Sequence, residues 1–251
     1  MIAALAVVWV LAHAPVLRWA AWTWTEQAHS RENWVLVGAG ALYVATRAPW
    51  RAPLLAWGPA ALIVACAAAG RLLAATWQVH VLEAALFVLG AWGIAGLCLD
   101  RGAWRAGWPA ALATVVLLPF DGALDTFLGF PLRLATAKAV AAALGTGSAD
   151  TLIRFENHVA QVDVPCSGVG GLWTGTVLLL VAAAVEGRRL GARFVALWVA
   201  TLGALVVANF ARVLALAMLL PWPTVATVLH VPLGVLTFGV VVGIAVVGLR
   251  F

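Results

Sequence analysis

The fold is decided by an apolar stretch, residues 194–220, which reads FVALWVATLGALVVANFARVLALAMLL. It exceeds the roughly 20 residues that a helix needs to cross a bilayer, and its single charged residue is Arg212. Comparable stretches recur along the chain, which is 65% hydrophobic and only 10% charged. A globular domain carries about 25% charged residues. The sequence therefore predicts an integral membrane protein.

The apolar segments predict an all-α polytopic membrane protein with about eight transmembrane helices in a single domain, residues 1–251. The first segment lacks a basic start and a cleavage site, so we expect a retained span. Five spans lie within residues 1–120 and three within residues 166–251. The predicted spans are residues 2–21, 34–46, 53–70, 78–99, 107–120, 168–186, 194–219 and 225–249.

The arginines orient this bundle, because cytoplasmic loops carry an excess of basic residues. Eight of them would fall on one side of the membrane: Arg47, Arg51, Arg101, Arg105, Arg188, Arg189, Arg193 and Arg250. This favours cytoplasmic termini. It also explains the net charge of +5 as a consequence of topology, with lipids and not nucleic acid as the surroundings.

The long connection, residues 121–165, is predicted to lie on the extracytoplasmic side. Residues 132–144 form an alanine-rich helical segment, which we expect to lie along the interface or dip into the membrane. Residues 151–164 alternate polar and apolar side chains around Asn157-His158, which predicts a small β-hairpin. This hairpin leads directly into Pro165-Cys166-Ser167-Gly168.

Three polar residues, Cys166, Arg212 and His230, are predicted to share one depth in the membrane. Ionisable residues inside a membrane are costly, and they mark functional sites by default. Each of the three lies about 20 residues from a cytoplasmic arginine or loop, which corresponds to about 30 Å of helix. The directions of the spans alternate, yet all three residues reach the outer level. We therefore expect their side chains to meet if the last three spans pack together.

This group suits covalent acyl transfer. A thiolate is the nucleophilic form of cysteine, and a nearby cation or helix N-terminus favours it. A histidine such as His230 can take the thiol proton and return it to a leaving amine. Arg212 can hold the substrate backbone or stabilise an oxyanion, and glycines such as Gly168 would allow a substrate to approach closely.

These residues resemble a known family. Cys-Ser-Gly at 166–168, Asn-x-x-Arg at 209–212 and a histidine near the start of the last helix are similar to the exosortase/archaeosortase family. The resemblance covers approximately residues 132–248. It implies that Cys166 is the nucleophile, Arg212 the essential cation and His230 the acid/base. Ser167, Gly168 and Asn209 would bind substrate or support the site.

The resemblance also implies a substrate and a location. Such enzymes act in the cytoplasmic membrane of bacteria or archaea, with the active site facing outward. They recognise secreted proteins that end in a short motif such as Pro-Glu-Pro, a transmembrane helix and a basic tail. They cleave near the motif through a thioester and are thought to pass the protein to a surface acceptor, for example a lipid or polysaccharide.

Other interpretations stay open at this stage. An intramembrane cysteine protease that only hydrolyses its substrate would use the same residues. A transporter would need none of them, but the inverted repeat on which many transporters are built is not apparent in the sequence. His158 is a rival base, Arg212 could pair with an acid such as Asp163, and Asn209 is expected to orient Arg212. No cluster has the spacing of metal ligands, so neither a metal nor a cofactor is expected. We expect Cys66 and Cys98 to be packing residues and Glu83 to serve as a counter-ion.

Overall fold

The structure is a computed structural model, and it describes residues 2–26, 50, 56–76, 79–118, 124–155 and 158–250. Helices make up most of these residues, as expected for an all-α membrane protein. The described residues form two compact units. The first comprises residues 1–120 and 183–190, and the second comprises residues 121–182 and 191–251.

The structure describes six helices in the first unit. Their bounds are α1 Ile2–Ala12, α2 Ala14–Glu26, α3 Trp57–Thr76, α4 His80–Gly96, α5 Arg101–Ala106 and α6 Trp108–Val116. The long helices α3 and α4 pack side by side, and Cys66 is buried with Trp9 and Ile94. Cys66 is thus a packing residue in this unit, as the sequence predicted. The carboxylate of Glu83 lies 3.4 Å from the ring of His80.

In the second unit the structure describes four helices and a small sheet. A π-helical turn, Asp125–Gly129, leads into α7, Phe130–Leu144. The sheet follows, and after a 3₁₀ turn at Val164–Cys166 come α8 Val169–Val185, α9 Ala192–Met218 and α10 Pro223–Gly248. The three strands are β1 Gly147–Ala149, β2 Leu152–Arg154 and β3 Val159–Gln161, paired antiparallel in the order β1-β2-β3.

The sheet rests on α7 and α9. Ile153 and Val162 on its inner face are almost completely buried against Val140 and Ala141 of α7 and against Val213 of α9. Burying large aliphatic side chains of this kind contributes about 1.5–3 kcal/mol each. The same packing fixes the direction in which the chain leaves β3. The region predicted as a loop is thus part of the core of this unit.

Helices α8, α9 and α10 form the rest of the second unit. Leu179 of α8 packs with Ala245 of α10 and with Trp198 of α9, and the indole of Trp198 donates a 3.0 Å hydrogen bond to the Thr176 hydroxyl of α8. These contacts bring the last three helices together, as the sequence analysis required for a shared site.

The helices correspond only partly to the predicted spans. Among the helices that the structure describes, three are long and apolar enough to cross a membrane, at 125–144, 192–218 and 224–248, while the pair α1–α2 would make a fourth span bent by 62°. The segment 125–144 was expected only as a shorter helix in an outer loop. The predicted span at 34–46 lies outside the described residues. Eight spans therefore stay a prediction.

Candidate active site

Cys166 ends the 3₁₀ turn that joins the sheet to α8. The turn begins at Asp163, whose extended backbone continues the direction of β3, and the amide of Cys166 donates a 2.9 Å hydrogen bond to the carbonyl of Asp163. Ser167 is buried, and its hydroxyl accepts a 3.3 Å hydrogen bond from the amide of Val169 at the start of α8. Ser167 therefore supports the turn by capping the helix, since helix starts leave such amides unsatisfied.

Asn209 of α9 holds this turn in place. Its side-chain Nδ2 donates a 2.8 Å hydrogen bond to the carbonyl oxygen of Cys166. The carboxamide lies so close to Gly168 that a Cβ at that position would come within 2.9 Å of Nδ2. Gly168 also has a φ of +80°, a conformation that other residues adopt at a cost. This contact shows that the side chain of Asn209 positions the backbone of Cys166, while its expected effect on Arg212 stays a prediction.

The side chains of Cys166, His230 and Arg212 meet in the structure. The Sγ of Cys166 lies 3.6 Å from Nε2 of His230. Nη2 of Arg212 lies 3.0 Å from the same Nε2 and 3.5 Å from Nδ1. The shared depth deduced from the sequence thus corresponds to a real cluster, contributed by the 3₁₀ turn, α9 and α10.

Arg212 is held against a glycine of the last helix. A Cβ at Gly234 would lie 3.3 Å from Cζ and 3.4 Å from Nε of Arg212, so the guanidinium uses the space that the missing side chain leaves. Its Nε is buried and has no hydrogen-bond partner among the described residues. Within this part of the chain no carboxylate, Asp163 included, lies within 4.0 Å of Arg212. The guanidinium therefore keeps donors available for another oxygen.

The surroundings of Cys166 act in opposite directions on its thiol. Burial raises the pKa of the Cys166 thiol above its ordinary value, the nearby Arg212 cation opposes this rise, and the Asp163 carboxylate adds to it. The net effect is an upward shift of the pKa. The thiol is therefore protonated at neutral pH, and it needs a base before it can act as a nucleophile.

A cleft of about 520 Å³ opens beside these residues. It is lined by β3 and the residues after it, by α9 and by the start of α10. Apart from Cys166 and His230, its lining includes Gln161, Asp163 and Leu216. This volume lies within the range of about 300–1,000 Å³ that is typical of ligand sites. It would accommodate a few residues of a peptide.

The other residues singled out in the sequence lie elsewhere. His158 lies just before β3, its ring is stacked on Phe155 at 4.9 Å, and it does not line the cleft. A Cβ at Gly170 would meet nothing within 4 Å, and one at Gly171 would only touch Phe238. Across the described residues, no group of three or more His, Cys, Asp or Glu side chains is placed to hold a metal ion.

Sequence reasoning missed the role of Gly234. It follows His230 by four residues, so both lie on the same face of α10, one turn apart. That spacing alone could have indicated a glycine opposite the intramembrane arginine. The third strand, β1, was also missed.

Comparisons with known proteins agree with this picture. Residues 2–247 match the protein family described as Transmembrane exosortase (Exosortase_EpsH). Neither curated proteins nor solved structures give a match. The family match covers nearly the whole chain, including the first unit, where the sequence itself showed only hydrophobic character. The chain therefore belongs to the transmembrane exosortase family.

Proposed function

We propose that the protein is a cysteine transpeptidase that cleaves a membrane-anchored protein through a thioester and transfers it to an acceptor. One observation carries the proposal: the thiol of Cys166 lies 3.6 Å from the imidazole of His230, and the guanidinium of Arg212 touches the same imidazole. A nucleophile and a cation that both contact one base beside a cleft are the parts that acyl transfer needs.

In the first half of the reaction His230 removes the proton from the Cys166 thiol. The Sγ then attacks the carbonyl carbon of the scissile peptide bond, and a carbon–sulfur bond forms while negative charge develops on the carbonyl oxygen. Protonated His230 next donates its proton to the leaving amine as the carbon–nitrogen bond breaks. The product is a thioester on Cys166.

Arg212 controls when this proton transfer can occur. A neutral imidazole has one ring nitrogen that accepts a hydrogen bond, so Arg212 and the thiol compete for Nε2 of His230. A substrate oxygen offers the guanidinium another acceptor, and when Arg212 turns to it, Nε2 becomes available to the thiol. The same movement brings positive charge to the developing oxyanion, where it stabilises the transition state. Substrate binding and activation of the nucleophile are thereby coupled.

The second half of the reaction decides between transfer and hydrolysis. His230 takes a proton from the incoming nucleophile, which attacks the thioester, and the carbon–sulfur bond breaks. An amine or hydroxyl acceptor, such as a lipid or polysaccharide, gives transpeptidation, whereas water gives hydrolysis. Membership of the exosortase family supports transfer.

The proposed substrate is a secreted protein that ends in a short motif, a transmembrane helix and a basic tail. The proposed setting is a cytoplasmic membrane crossed about eight times, with both termini in the cytoplasm and the site on the outer side. Support comes from the distribution of arginines and from long apolar helices in the second unit. In this arrangement the cleft opens toward the outer end of the substrate's helix.

The proposal is tested with a reporter protein that ends in Pro-Glu-Pro, an apolar helix and an arginine tail, co-expressed with the enzyme. We expect cleavage by the wild type and by Cys66→Ala, and a hydroxylamine-sensitive adduct on Cys166 by mass spectrometry. Cys166→Ala and Cys166→Ser should insert normally and lose cleavage and adduct together. Normal cleavage by Cys166→Ala would rule out the cysteine mechanism. If the only reporter product has the mass expected for hydrolysis, the result would favour a protease that transfers nothing to an acceptor.

A further inference from the structure

Strand β3 forms one edge of the small sheet. The strand order β1-β2-β3 gives β3 a partner on one side only, within the part of the chain that the structure describes. An unpaired strand edge presents a row of backbone N–H and C=O groups that can pair with another extended chain.

The hydrogen bonds between β2 and β3 show which residues of β3 turn their backbone groups outward. The amide of Phe155 donates to the carbonyl of His158, and the amide of Val162 donates to the carbonyl of Thr151, both at 2.9 Å. Opposite residues in an antiparallel pair alternate between pairs that exchange hydrogen bonds and pairs that do not. Ala160, opposite Ile153, therefore bonds to β2.

Two residues of β3 are left with outward backbone groups. Val159, opposite Arg154, and Gln161, opposite Leu152, occupy the pairs that exchange no hydrogen bonds. Their N–H and C=O groups therefore point away from β2, toward the free edge. These groups lie two residues apart, which is the repeat that an added strand requires.

This edge runs along the cleft toward the nucleophile. Ala160, Gln161 and Asp163 line the cleft together with Cys166 and His230. From Gln161 the chain continues through Val162 and Asp163 directly into the 3₁₀ turn that carries the thiol. A peptide paired with β3 would thus be held beside the reacting groups.

We propose that an extended peptide segment of the substrate binds to the free edge of β3 as an additional strand. The inference rests on the proposed function, because it assigns the binding mode of that peptide substrate. The recognised chemistry is an unfolded main chain: backbone N–H and C=O groups pair with those of Val159 and Gln161. A helical segment cannot bind in this way, since its backbone groups are already paired within the helix. The scissile bond therefore lies in an extended segment, outside the substrate's transmembrane helix.

The test uses two substitutions at one position. Gln161→Pro removes the outward N–H, and proline is tolerated on an edge strand where that N–H is not part of the ladder. Gln161→Ala keeps the N–H and removes only the side chain. We expect Gln161→Pro to cleave the reporter about tenfold or more slowly than Gln161→Ala, the order expected for losing one good hydrogen bond together with the fit of the strand.

A folding comparison separates binding from damage. Ala160→Pro removes an amide that bonds to β2, so it should lower the thermal unfolding temperature, whereas Gln161→Pro should leave this temperature close to that of Gln161→Ala. A loss of cleavage by Gln161→Pro at unchanged unfolding temperature supports the proposal. Equal cleavage by Gln161→Pro and Gln161→Ala overturns it.

A binding measurement that does not depend on catalysis distinguishes this proposal from the proposed function. In the Cys166→Ala background, the reporter is co-purified with the enzyme after mild cross-linking. If the enzyme with Gln161→Pro added to this background captures less reporter than the enzyme with Gln161→Ala added, the result supports strand addition, irrespective of which reaction the enzyme catalyses. Equal capture by the two variants, at any level, overturns strand addition. A failure of the proposed function shows instead as cleavage that survives Cys166→Ala.

Discussion

The side-chain Nδ2 of Asn209 donates a 2.8 Å hydrogen bond to the backbone carbonyl oxygen of Cys166. This bond ties α9, which carries Arg212, to the turn that carries the thiol. Asn209 precedes Arg212 by three positions, so both project from the same side of α9. One helix thus positions both the backbone of Cys166, the proposed nucleophile, and the guanidinium of Arg212.

Removing the donor should loosen the nucleophile. We expect Asn209→Ala and Asn209→Asp to lower reporter cleavage by about tenfold to a hundredfold, because displacements of about 1 Å at reacting atoms have costs of this order. The free energy of unfolding should fall by about 1–3 kcal/mol, since the Cys166 carbonyl loses its partner. Both quantities are measured on purified enzyme in detergent. Aspartate lacks the N–H, so it should not rescue the activity.

A buried hydroxyl of the same helix provides the control. Among the residues that the structure describes, the hydroxyl of Thr201 bonds only within its own helix, to the carbonyl of Leu197 at 2.7 Å. Thr201→Val should therefore keep the cleavage rate close to that of the wild type. A full rate in Asn209→Asp would contradict the positioning role.

Gly234 should be needed for the placement of Arg212. In Gly234→Ala the new methyl group would lie 3.3 Å from Cζ of Arg212, closer than most such contacts, so the guanidinium must move. We expect kcat for the reporter to fall about tenfold or more, since the cation would no longer be aligned with the oxyanion. The measurement is steady-state cleavage, which separates kcat from KM.

Gly239→Ala is the matched control on the same helix. A Cβ at Gly239 would meet nothing within 4 Å, and alanine has a better helix propensity than glycine. Gly239→Ala should leave kcat unchanged. If both substitutions lower kcat equally, the effect belongs to the helix as a whole and not to Arg212.

The sequence was sufficient to predict the cluster of Cys166, Arg212 and His230 but not the residues that support it. Cys166, Arg212 and His230 could be related because helical rise converts residue number into depth, and a membrane gives all spans one common reference. The partner of Asn209 could not be deduced, since a rotation of α9 about its axis changes which side chain faces the turn. Such a rotation is set by tertiary packing, not by hydropathy.

The segment before the site shows a similar limit. The alternation around residue 157 indicated two strands, whereas β1 at Gly147–Ala149 has too little side-chain pattern to indicate a third. Short strands of small residues are specified by what they pack on, in this case α7. The helical segment expected at residues 132–144, along the interface or dipping into the membrane, begins earlier in the structure, which buries Thr136 of α7.

The titration of Cys166 should respond in opposite directions to its two charged neighbours. Arg212 lowers the pKa of the thiol and Asp163 raises it, while burial gives a net upward shift. Arg212→Gln should therefore move the pH midpoint of Cys166 alkylation upward, and Asp163→Asn should move it downward. At a fixed pH below the midpoint, the first variant is alkylated more slowly and the second faster, because the thiolate is the reactive form.

The rate of iodoacetamide labelling as a function of pH gives both midpoints. A Cys66→Ala, Cys98→Ala background leaves Cys166 as the only thiol. Arg212→Lys serves as the charge-retaining control, and its midpoint should stay closer to that of the parent. Its cleavage activity should nevertheless be low, because a lysine ammonium lacks the guanidinium fork. If the pH midpoint moved in the same direction in Arg212→Gln and in Asp163→Asn, the opposite effects assigned to the two charges would be contradicted.

The last prediction separates the two histidines that the sequence offered as bases. His230 contacts the thiol at 3.6 Å, whereas His158 stacks on Phe155 in the turn before β3. His230→Ala and His230→Gln should reduce kcat by about a hundredfold to ten-thousandfold, the range of general acid–base catalysis. His158→Ala should retain most of the activity. Thermal unfolding of each variant shows whether a loss of rate reflects a loss of fold. A His230→Gln enzyme that keeps its rate, together with an inactive but folded His158→Ala enzyme, would transfer the role of base to His158.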